Sequence, residues 1–290
     1  MRLQTLVAEP WADWGLVDSG NGRKLERYGS ILVDRPEPQA MWVPANPGWD
    51  ADATFVPGSD EEGGGRWVRH REVPREWELA RGAVRFNASL TPFRHLGFFP
   101  DMAPQWDWMR AKVTEGGAAD PEVLNLFGYT GVGTLILSEA GARLVHVDAS
   151  KKSVDGGKAN AILSGLSDRP IRWMVDDASK FTAREVRRGR RYDGILLDPP
   201  KFGRGPTGEL WRLEENLAPL LADCRKLVDE NSRFLVLTVY AVRMSALAIG
   251  ELVGQVFADL DGTVEMGEMS VREEARGLHL PTAIFARWSR

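Results

Sequence analysis

The stretch Val123-Leu-Asn-Leu-Phe-Gly-Tyr-Thr-Gly-Val-Gly133 decides the fold. A short apolar run, Val123 to Phe127, passes directly into glycines spaced G-x-x-G-x-G at Gly128, Gly131 and Gly133. Because the run is apolar almost throughout rather than at alternate positions, it predicts a strand covered on both faces, as in a parallel sheet. Thr134 to Ala140 predicts a helix that Gly141 terminates, so the unit is strand, glycine turn, helix.

The alternation repeats toward the C-terminus. Leu144-Val-His-Val147 predicts a second strand, and Ser150 can cap a helix that runs to Ser164 and stops at Gly165. Ile171 to Val175, Gly194 to Leu197 and Phe234 to Val239 predict three more strands, with helices near Thr182 to Arg187 and Glu214 to Val228. Thr263 to Met269 and Thr282 to Trp288 predict a closing pair. Seven strands of this kind predict an α/β, doubly wound, Rossmann-like sheet whose last strand inserts antiparallel.

Upstream of about residue 115 the chain changes character. Eight of the 11 Trp and ten of the 17 Pro fall in Met1 to Arg110, which favours short strands separated by turns. Candidate strands are Ser30 to Asp34, Gln39 to Val43, Trp67 to Arg71, Trp77 to Ala80 and Ala83 to Asn87. Pro57 to Gly65 predicts a solvated loop, Trp106 to Val113 a helix, and Thr114 to Pro121 a linker. The expected domains are therefore a small β-rich, Trp-rich domain at 1–115 and a Rossmann-like domain at 116–290.

The 290 residues carry 37 Lys+Arg against 41 Asp+Glu, a formal net charge of −4, so the general attraction of a basic protein for polyanions is absent. Two local clusters depart from this balance: Arg184 to Arg191, and Arg66, Arg69, His70, Arg71 and Arg75 around Trp67. Runs of this length usually form solvated faces. The single cysteine, Cys224, excludes an intrachain disulfide and a multi-cysteine zinc site, and points to a reducing compartment. His70, His95, His146 and His279 lack the spacing that pairs two ligands on one helix face, so no metal is expected. No uninterrupted apolar run is long enough for a membrane span, and Met1 to Gly15 is broken by Gln4, Glu9 and Pro10 before a signal core can form. A soluble cytoplasmic protein is the expectation.

In open α/β sheets ligands sit beyond the carboxyl ends of the strands. The second strand is followed by Asp148, twenty positions after Gly128, where a carboxylate can accept hydrogen bonds from both ribose hydroxyls. Glycine turn and acid together indicate an adenosine-containing cofactor without saying which, and the glycines alone could be only a tight turn. The third strand is followed by Asp176-Asp177-Ala178 and the fourth by Asp198-Pro199-Pro200-Lys201-Phe202. A nicotinamide enzyme has no need of an acidic Pro-Pro turn there, whereas a methyl-transfer site uses one to face a carboxylate and a carbonyl toward the acceptor. Taken singly the turn is an ordinary strand ending. In register with the glycine turn, Asp148 and Asp177 on one predicted sheet edge, it reads as a methyl-transfer site.

These residues resemble class I S-adenosylmethionine-dependent methyltransferases, and within them the bacterial large-subunit ribosomal RNA methyltransferases. The resemblance rests on Leu124-Asn-Leu-Phe-Gly-Tyr-Thr-Gly131, Val147-Asp-Ala-Ser150, Lys158-Ala-Asn-Ala161 to Ser164-Gly-Leu166, Asp177-Ala178 and Leu197-Asp-Pro-Pro-Lys-Phe202, and covers about Phe86 to the C-terminus. It implies S-adenosylmethionine as cofactor, with Phe127, Gly128, Tyr129, Thr130, Gly131 and Gly133 around its methionine and sugar. Asp148 with Ala149 and Ser150 would hold the ribose, Asp177 with Ala178 the adenine, and Asp198 would face both cofactor and acceptor. Asp198, Pro199, Pro200 and Lys201 form the implied catalytic turn, with Phe202 and Tyr240 placed to stack on a substrate base. His95-Leu-Gly-Phe-Phe-Pro-Asp101 looks like the family segment that folds over the cofactor, which brings in Phe98, but Met102-Ala103 replaces the family's Gln-Arg.

A methylated cytosine carbon-5 requires a cysteine nucleophile, because that carbon is unreactive until carbon-6 is covalently occupied. The corresponding stretch, Leu237-Thr-Val-Tyr-Ala241, has none, and Cys224 lies among Leu220, Leu221 and Leu227 at core spacing. Transfer to a nitrogen or oxygen of ribosomal RNA, as part of its processing, is the expectation. The alternatives are a small-molecule or protein acceptor, a non-catalytic cofactor- or RNA-binding module and, last, a nicotinamide dehydrogenase.

Overall fold

The computed structural model describes residues 2–58, 64–115, 120–240 and 243–290. Residues 59–63 of the expected Pro57 to Gly65 loop, residues 116–119 of the expected linker, and Ala241 lie outside them. In chain order the elements are β1 (Arg2–Ala8), β2 (Trp14–Gly20), β3 (Arg23–Tyr28), β4 (Ile31–Pro36), β5 (Ala53–Pro57), β6 (Gly65–Arg69), β7 (Trp77–Arg81) and β8 (Val84–Ala88). There follow α1 (Ala103–Thr114), β9 (Glu122–Leu126), α2 (Val132–Glu139), β10 (Arg143–Asp148), α3 (Lys151–Leu163), β11 (Ile171–Val175), α4 (Ala178–Arg187) and β12 (Gly194–Leu197). The chain ends with β13 (Phe202–Arg204), β14 (Leu210–Arg212), α5 (Leu213–Lys226), β15 (Phe234–Tyr240), α6 (Ala246–Val256), β16 (Thr263–Arg272) and β17 (His279–Ser289).

Two compact units divide the chain discontinuously: Met1–Leu6, Pro104–Met269 and Ala283–Arg290 form the first, Val7–Ala103 and Ser270–Thr282 the second. This differs from the expected division at residue 115, because the first residues join the C-terminal unit and a segment near the C-terminus joins the N-terminal one.

The large sheet has the order β1-β16-β17-β15-β12-β9-β10-β11. Strands β11, β10, β9, β12 and β15 pair in parallel, and β17 lies antiparallel against β15. Reversal of the strand order at β9 creates the switch point where such sheets bind ligands. Helices cover the buried strands: α5 and α6 contribute Leu217, Leu220, Leu221, Cys224, Ile249 and Val253 to a core that includes Leu126, Val147, Leu197 and Leu237. The sheet has eight strands where seven were expected, since β1 adds next to β16. Room for it depends on Gly267, where a Cβ would lie 1.7 Å from the Gln4 carbonyl oxygen.

The second unit holds a five-stranded sheet, β2-β3-β4-β5-β6, antiparallel except for the short β4–β5 contact, and the hairpin β7–β8. Asn21 and Gly22 both have positive φ, 51° and 73°, which turns β2 into β3 through the two-residue geometry that matches strand twist. Trp14, Leu16, Tyr28, Phe55, Leu79 and Phe86 are fully buried in this unit. Gln39 to Val43 forms no strand, contrary to expectation. In this region Trp42 donates to Ser19 Oγ at 3.0 Å, and the Ala45 and Asn46 N–H groups donate to the Asp18 carboxylate at 3.0 and 2.8 Å. Within the segment itself, the Ala40 and Trp42 carbonyls accept from the Gly22 and Asn21 N–H groups at 2.8 and 2.7 Å, and the Ala40 N–H turns back onto the Glu37 carbonyl at 3.0 Å, so its backbone groups serve turns instead of a ladder.

Candidate functional site

The first unit gathers its acids at the carboxyl ends of adjacent strands. Leaving β9, the backbone enters left-handed conformation at Phe127 (φ 59°), Tyr129 (φ 50°) and Gly131 (φ 76°). Two non-glycine residues with positive φ in one turn hold strain, on the order of 1–3 kcal/mol each, of the kind that concentrates at ligand sites. The turn is fixed by Gly128 N–H to the Val147 carbonyl at 3.0 Å and by Asn160 Nδ2 to the Thr130 carbonyl at 3.0 Å. Gly128 is required because a Cβ there would stand 2.4 Å from the His146 ring, and Gly131 because of its φ.

Beneath that glycine, His146 is fully buried on β10 and bonded through Nδ1 to Thr134 Oγ1 at 2.9 Å, while Asn125 Nδ2 donates to the same hydroxyl at 2.9 Å. Burial drives its imidazole down to about 3, so it is neutral and acts as packing under the turn. The Trp173 ring lies 4.6 Å from it.

Asp148, half-buried at the end of β10, accepts from Tyr129 N–H at 2.9 Å on one oxygen and from Ser150 N–H at 2.8 Å on the other. Burial raises its pKa above the ordinary carboxylate value against the pull of those two bonds. Its orientation is fixed, and a carboxylate with about four lone-pair sites still has capacity for two hydroxyl donors. The neighbouring Tyr129 hydroxyl is pushed up to about 12, by burial first and by Asp148 second. Ala149 is half-buried beside it, and Ser150 caps α3 by accepting from Ser153 N–H at 3.2 Å.

Asp177 caps α4, accepting from Lys180 N–H at 2.9 Å, with Ala178 buried as the first residue of the helix. Its neighbour Asp176 pairs with Arg184. At the end of β12, Asp198 is half-buried and Pro199 buried. The Pro200 carbonyl accepts from Trp211 Nε1 at 2.7 Å, and the Lys201 carbonyl from Leu213 N–H at 3.0 Å. The Trp211 ring also lies 4.9 Å from Phe127, so one tryptophan joins the glycine turn to the Pro-Pro turn. The Pro200 and Lys201 carbonyls are thereby committed to holding the turn. Lys201 and Phe202 are exposed, and Tyr240 is half-buried at the end of β15.

All of these positions except Phe98 belong to the first unit. Phe98 is buried in the second, its ring 4.6 Å from Phe86, 5.7 Å from Tyr28 and 6.4 Å from Trp11. Its surface is occupied by that aromatic core. Trp211, Asn160 and His146 support the site without having been singled out from the sequence as parts of it.

Cys224 is fully buried in α5, and burial pushes its thiol far above the ordinary range. The basic run at the end of α4 is largely neutralised: Arg188 and Arg190 pair with Glu185, Arg190 also with Glu122, and Arg184 with Asp176. Among the described residues no group of His, Cys, Asp and Glu could hold a metal ion, and no helix is long and apolar enough to cross a membrane.

A family model for S-adenosylmethionine-dependent methyltransferases matches residues 60–256. The ribosomal RNA large subunit methyltransferase I of Aeromonas hydrophila is 32% identical over 167 residues, 57% of this chain and 38% of that protein. The ribosomal RNA large subunit methyltransferase K/L of Stutzerimonas stutzeri is 30% identical over 194 residues, 66% of this chain and 24% of that protein. The chain therefore aligns with well under half the length of either relative. A solved S-adenosylmethionine-dependent methyltransferase from Agrobacterium tumefaciens superposes with a TM-score of 0.91 and 42% identity, covering 100% of this chain and 97% of that one. The fold is shared more widely, as with SMU.776, crystallised with S-adenosylhomocysteine, at a TM-score of 0.73 and 16% identity over 96% of this chain and 75% of that one. With the family model spanning more than half its length, the chain belongs to the S-adenosylmethionine-dependent methyltransferase family.

Proposed function

We propose that this chain transfers a methyl group from S-adenosylmethionine to a nitrogen or oxygen of RNA, and that ribosomal RNA is its substrate. The observation that carries the reading is the half-buried Asp198 with Pro199 at the end of β12, beside the turn closed by Asp148 at the switch point of the sheet. That the relatives are ribosomal RNA large subunit methyltransferases supports RNA as the substrate class.

The donor set fits the cofactor. Asp148 would accept from the ribose hydroxyls and Asp177 from the adenine amino group, with Phe127 to Gly133 enclosing the methionine end. Three carboxylates near the turn also complement a positively charged ligand. When bound, the cofactor supplies an electrophilic methyl on a positively charged sulfur. Asp198 and the Pro199 carbonyl accept hydrogen bonds from the acceptor group and hold its lone pair in line with that methyl, so the protein's contribution is positioning and water exclusion. An amine acceptor releases a proton after transfer, and Asp198 is the nearest candidate to receive it. The buried Cys224 cannot supply the covalent step that a cytosine carbon-5 requires. The lone cysteine also fits a reducing compartment, and we read the protein as cytoplasmic.

Asp198→Ala tests the assignment. Turnover is expected to fall about 100-fold while affinity for S-adenosylmethionine stays within about threefold, measured by methyl transfer and by calorimetry. Full turnover in the variant would remove Asp198 from the acceptor side.

A further inference from the structure

The hairpin β13–β14 keeps an unusual face in water. Its antiparallel register sets Phe202 opposite Arg212 and Arg204 opposite Leu210, so these four side chains share one face. All four are exposed, Phe202 at 43% and Leu210 at 46%. The opposite face carries the buried Trp211. An isolated two-stranded hairpin is marginal in water, and Trp211 anchors this one to the Pro200 carbonyl and to the Phe127 ring. The core side of the hairpin is thus fixed, and its solvent side displays an aromatic and an aliphatic residue where strand alternation would place polar ones.

The face itself keeps one cation without an ion-pair partner among the described residues. Arg212 pairs with Glu215 at 2.9 Å, and Glu209 in the connecting loop is taken by Lys180. Lys201 and Arg204 form no ion pair with any described residue. Arg204, without an ion pair among the described residues, therefore shares a face with an exposed ring and an exposed aliphatic chain, and the face begins four positions after Asp198. Rings for base stacking beside cations for phosphate are the means by which proteins hold single-stranded nucleic acid.

We infer that the outer face of β13–β14 is a platform for the single-stranded RNA flanking the methylated nucleotide. Phe202 stacks on a base, Leu210 packs beside it, and Arg204 contacts phosphate. The inference rests on the RNA reading above and names the surface that would realise it.

The test is fluorescence anisotropy of the full chain with a fluorescein-labelled single-stranded RNA of about 12 nucleotides. It is run on the wild type, Arg204→Glu, Arg204→Lys and Leu210→Ser, alongside calorimetry of S-adenosylmethionine binding and methyl transfer to RNA. Arg204→Glu is expected to weaken RNA binding about tenfold and to lower the slope of log affinity against log salt by about 0.7. Leu210→Ser is expected to weaken it about threefold, Arg204→Lys to restore most of the binding, and none of them to alter cofactor affinity. If the wild type methylates RNA but Arg204→Glu and Leu210→Ser bind it normally, the platform is overturned and the RNA reading stands. If the wild type neither binds nor methylates RNA, both are overturned. Parallel losses of RNA and cofactor affinity would show a structural role and overturn the platform, as would self-association that Leu210→Ser abolishes with RNA affinity unchanged.

Discussion

The two units solve the same problem of burial with different chemistry. The first encloses mainly apolar strands and neutral polar groups, such as Asn125, Thr134, His146 and Asn160, with Asp177, Glu185 and Arg287 as its few buried charges. The second buries charge: Asp18, Glu26, Arg35, Asp101 and Glu273 are all nearly inaccessible. Glu26 pairs with Arg35, whose guanidinium also reaches the Tyr28 hydroxyl at 2.8 Å. Burial alone would raise the Glu26 carboxyl, but the charges of Arg35 and Lys24 hold it below its ordinary value. Asp18 is likewise lowered against the effect of burial, by hydrogen bonds from Trp49 and from the Asn46, Ala45 and Ser19 N–H groups. Arg276 joins Asp18 and Glu273, which draws a segment from near the C-terminus into this unit. One unit is specified by local pattern, the other by polar contacts between residues remote in sequence.

The largest expected effect breaks the charged side of this contrast. Glu26→Gln leaves Arg35 buried without its partner and should cost about 3–5 kcal/mol, measured by urea unfolding. A loss below about 1 kcal/mol would mean the pair is dispensable.

The next effect belongs to the neutral side. His146 titrates at about 3 in the folded chain, below the 6.5 of an unperturbed imidazole. Unfolding therefore takes up a proton at mildly acid pH, and the stability it contributes is complete above about pH 6.5 and is lost as pH falls toward about 3. Replacing His146 with Asn should remove about 2 kcal/mol of the stability difference between pH 7 and pH 5. An unchanged difference would show that His146 accepts a proton without unfolding. His95, in the second unit, is depressed to about 4 by burial first and by Arg35 and Arg94 after it, so it should retain its own share of the acid sensitivity.

Asp148→Ala should weaken S-adenosylmethionine binding by about 1–3 kcal/mol, since two hydrogen bonds from the ribose are lost. Unchanged affinity by calorimetry would take Asp148 out of the cofactor site. The smallest effect sharpens the account of the core: Cys224→Ser should cost about 1–2 kcal/mol from a buried hydroxyl and leave turnover intact. A folded variant without activity would reopen covalent catalysis.

The same contrast explains what the sequence revealed. Ile171 to Val175 and Gly194 to Leu197 are strands with the bounds their apolar runs predict, and Ser150 caps its helix through Ser153 N–H. Parallel strands buried on both faces carry their signal locally, so the acids after them could be assigned to one sheet edge. Helix α6 was missed inside the most apolar stretch, where continuous hydrophobicity hides helical periodicity, although Ser245 caps it through Leu247 N–H at 3.1 Å. In the second unit β2 and β3 were missed although Asn21-Gly22 is a strong hairpin signal, and Gln39 to Val43 was misread because its backbone carbonyls at Ala40 and Trp42 serve the Asn21-Gly22 turn rather than a sheet ladder. Trp211 escaped the reading and Asn160 entered it only within the motif Lys158 to Ala161, for a related reason: each acts on a backbone carbonyl, 11 and 30 positions away, that no local pattern announces.

The most direct test of the account is methyl transfer from radiolabelled S-adenosylmethionine, using the purified chain and separated RNA, protein and small-molecule fractions from cells lacking its gene. Label should enter ribosomal RNA with the wild type and fall about 100-fold with Asp198→Ala. Label confined to the protein or small-molecule fraction, or equal labelling of RNA by both forms, would contradict it.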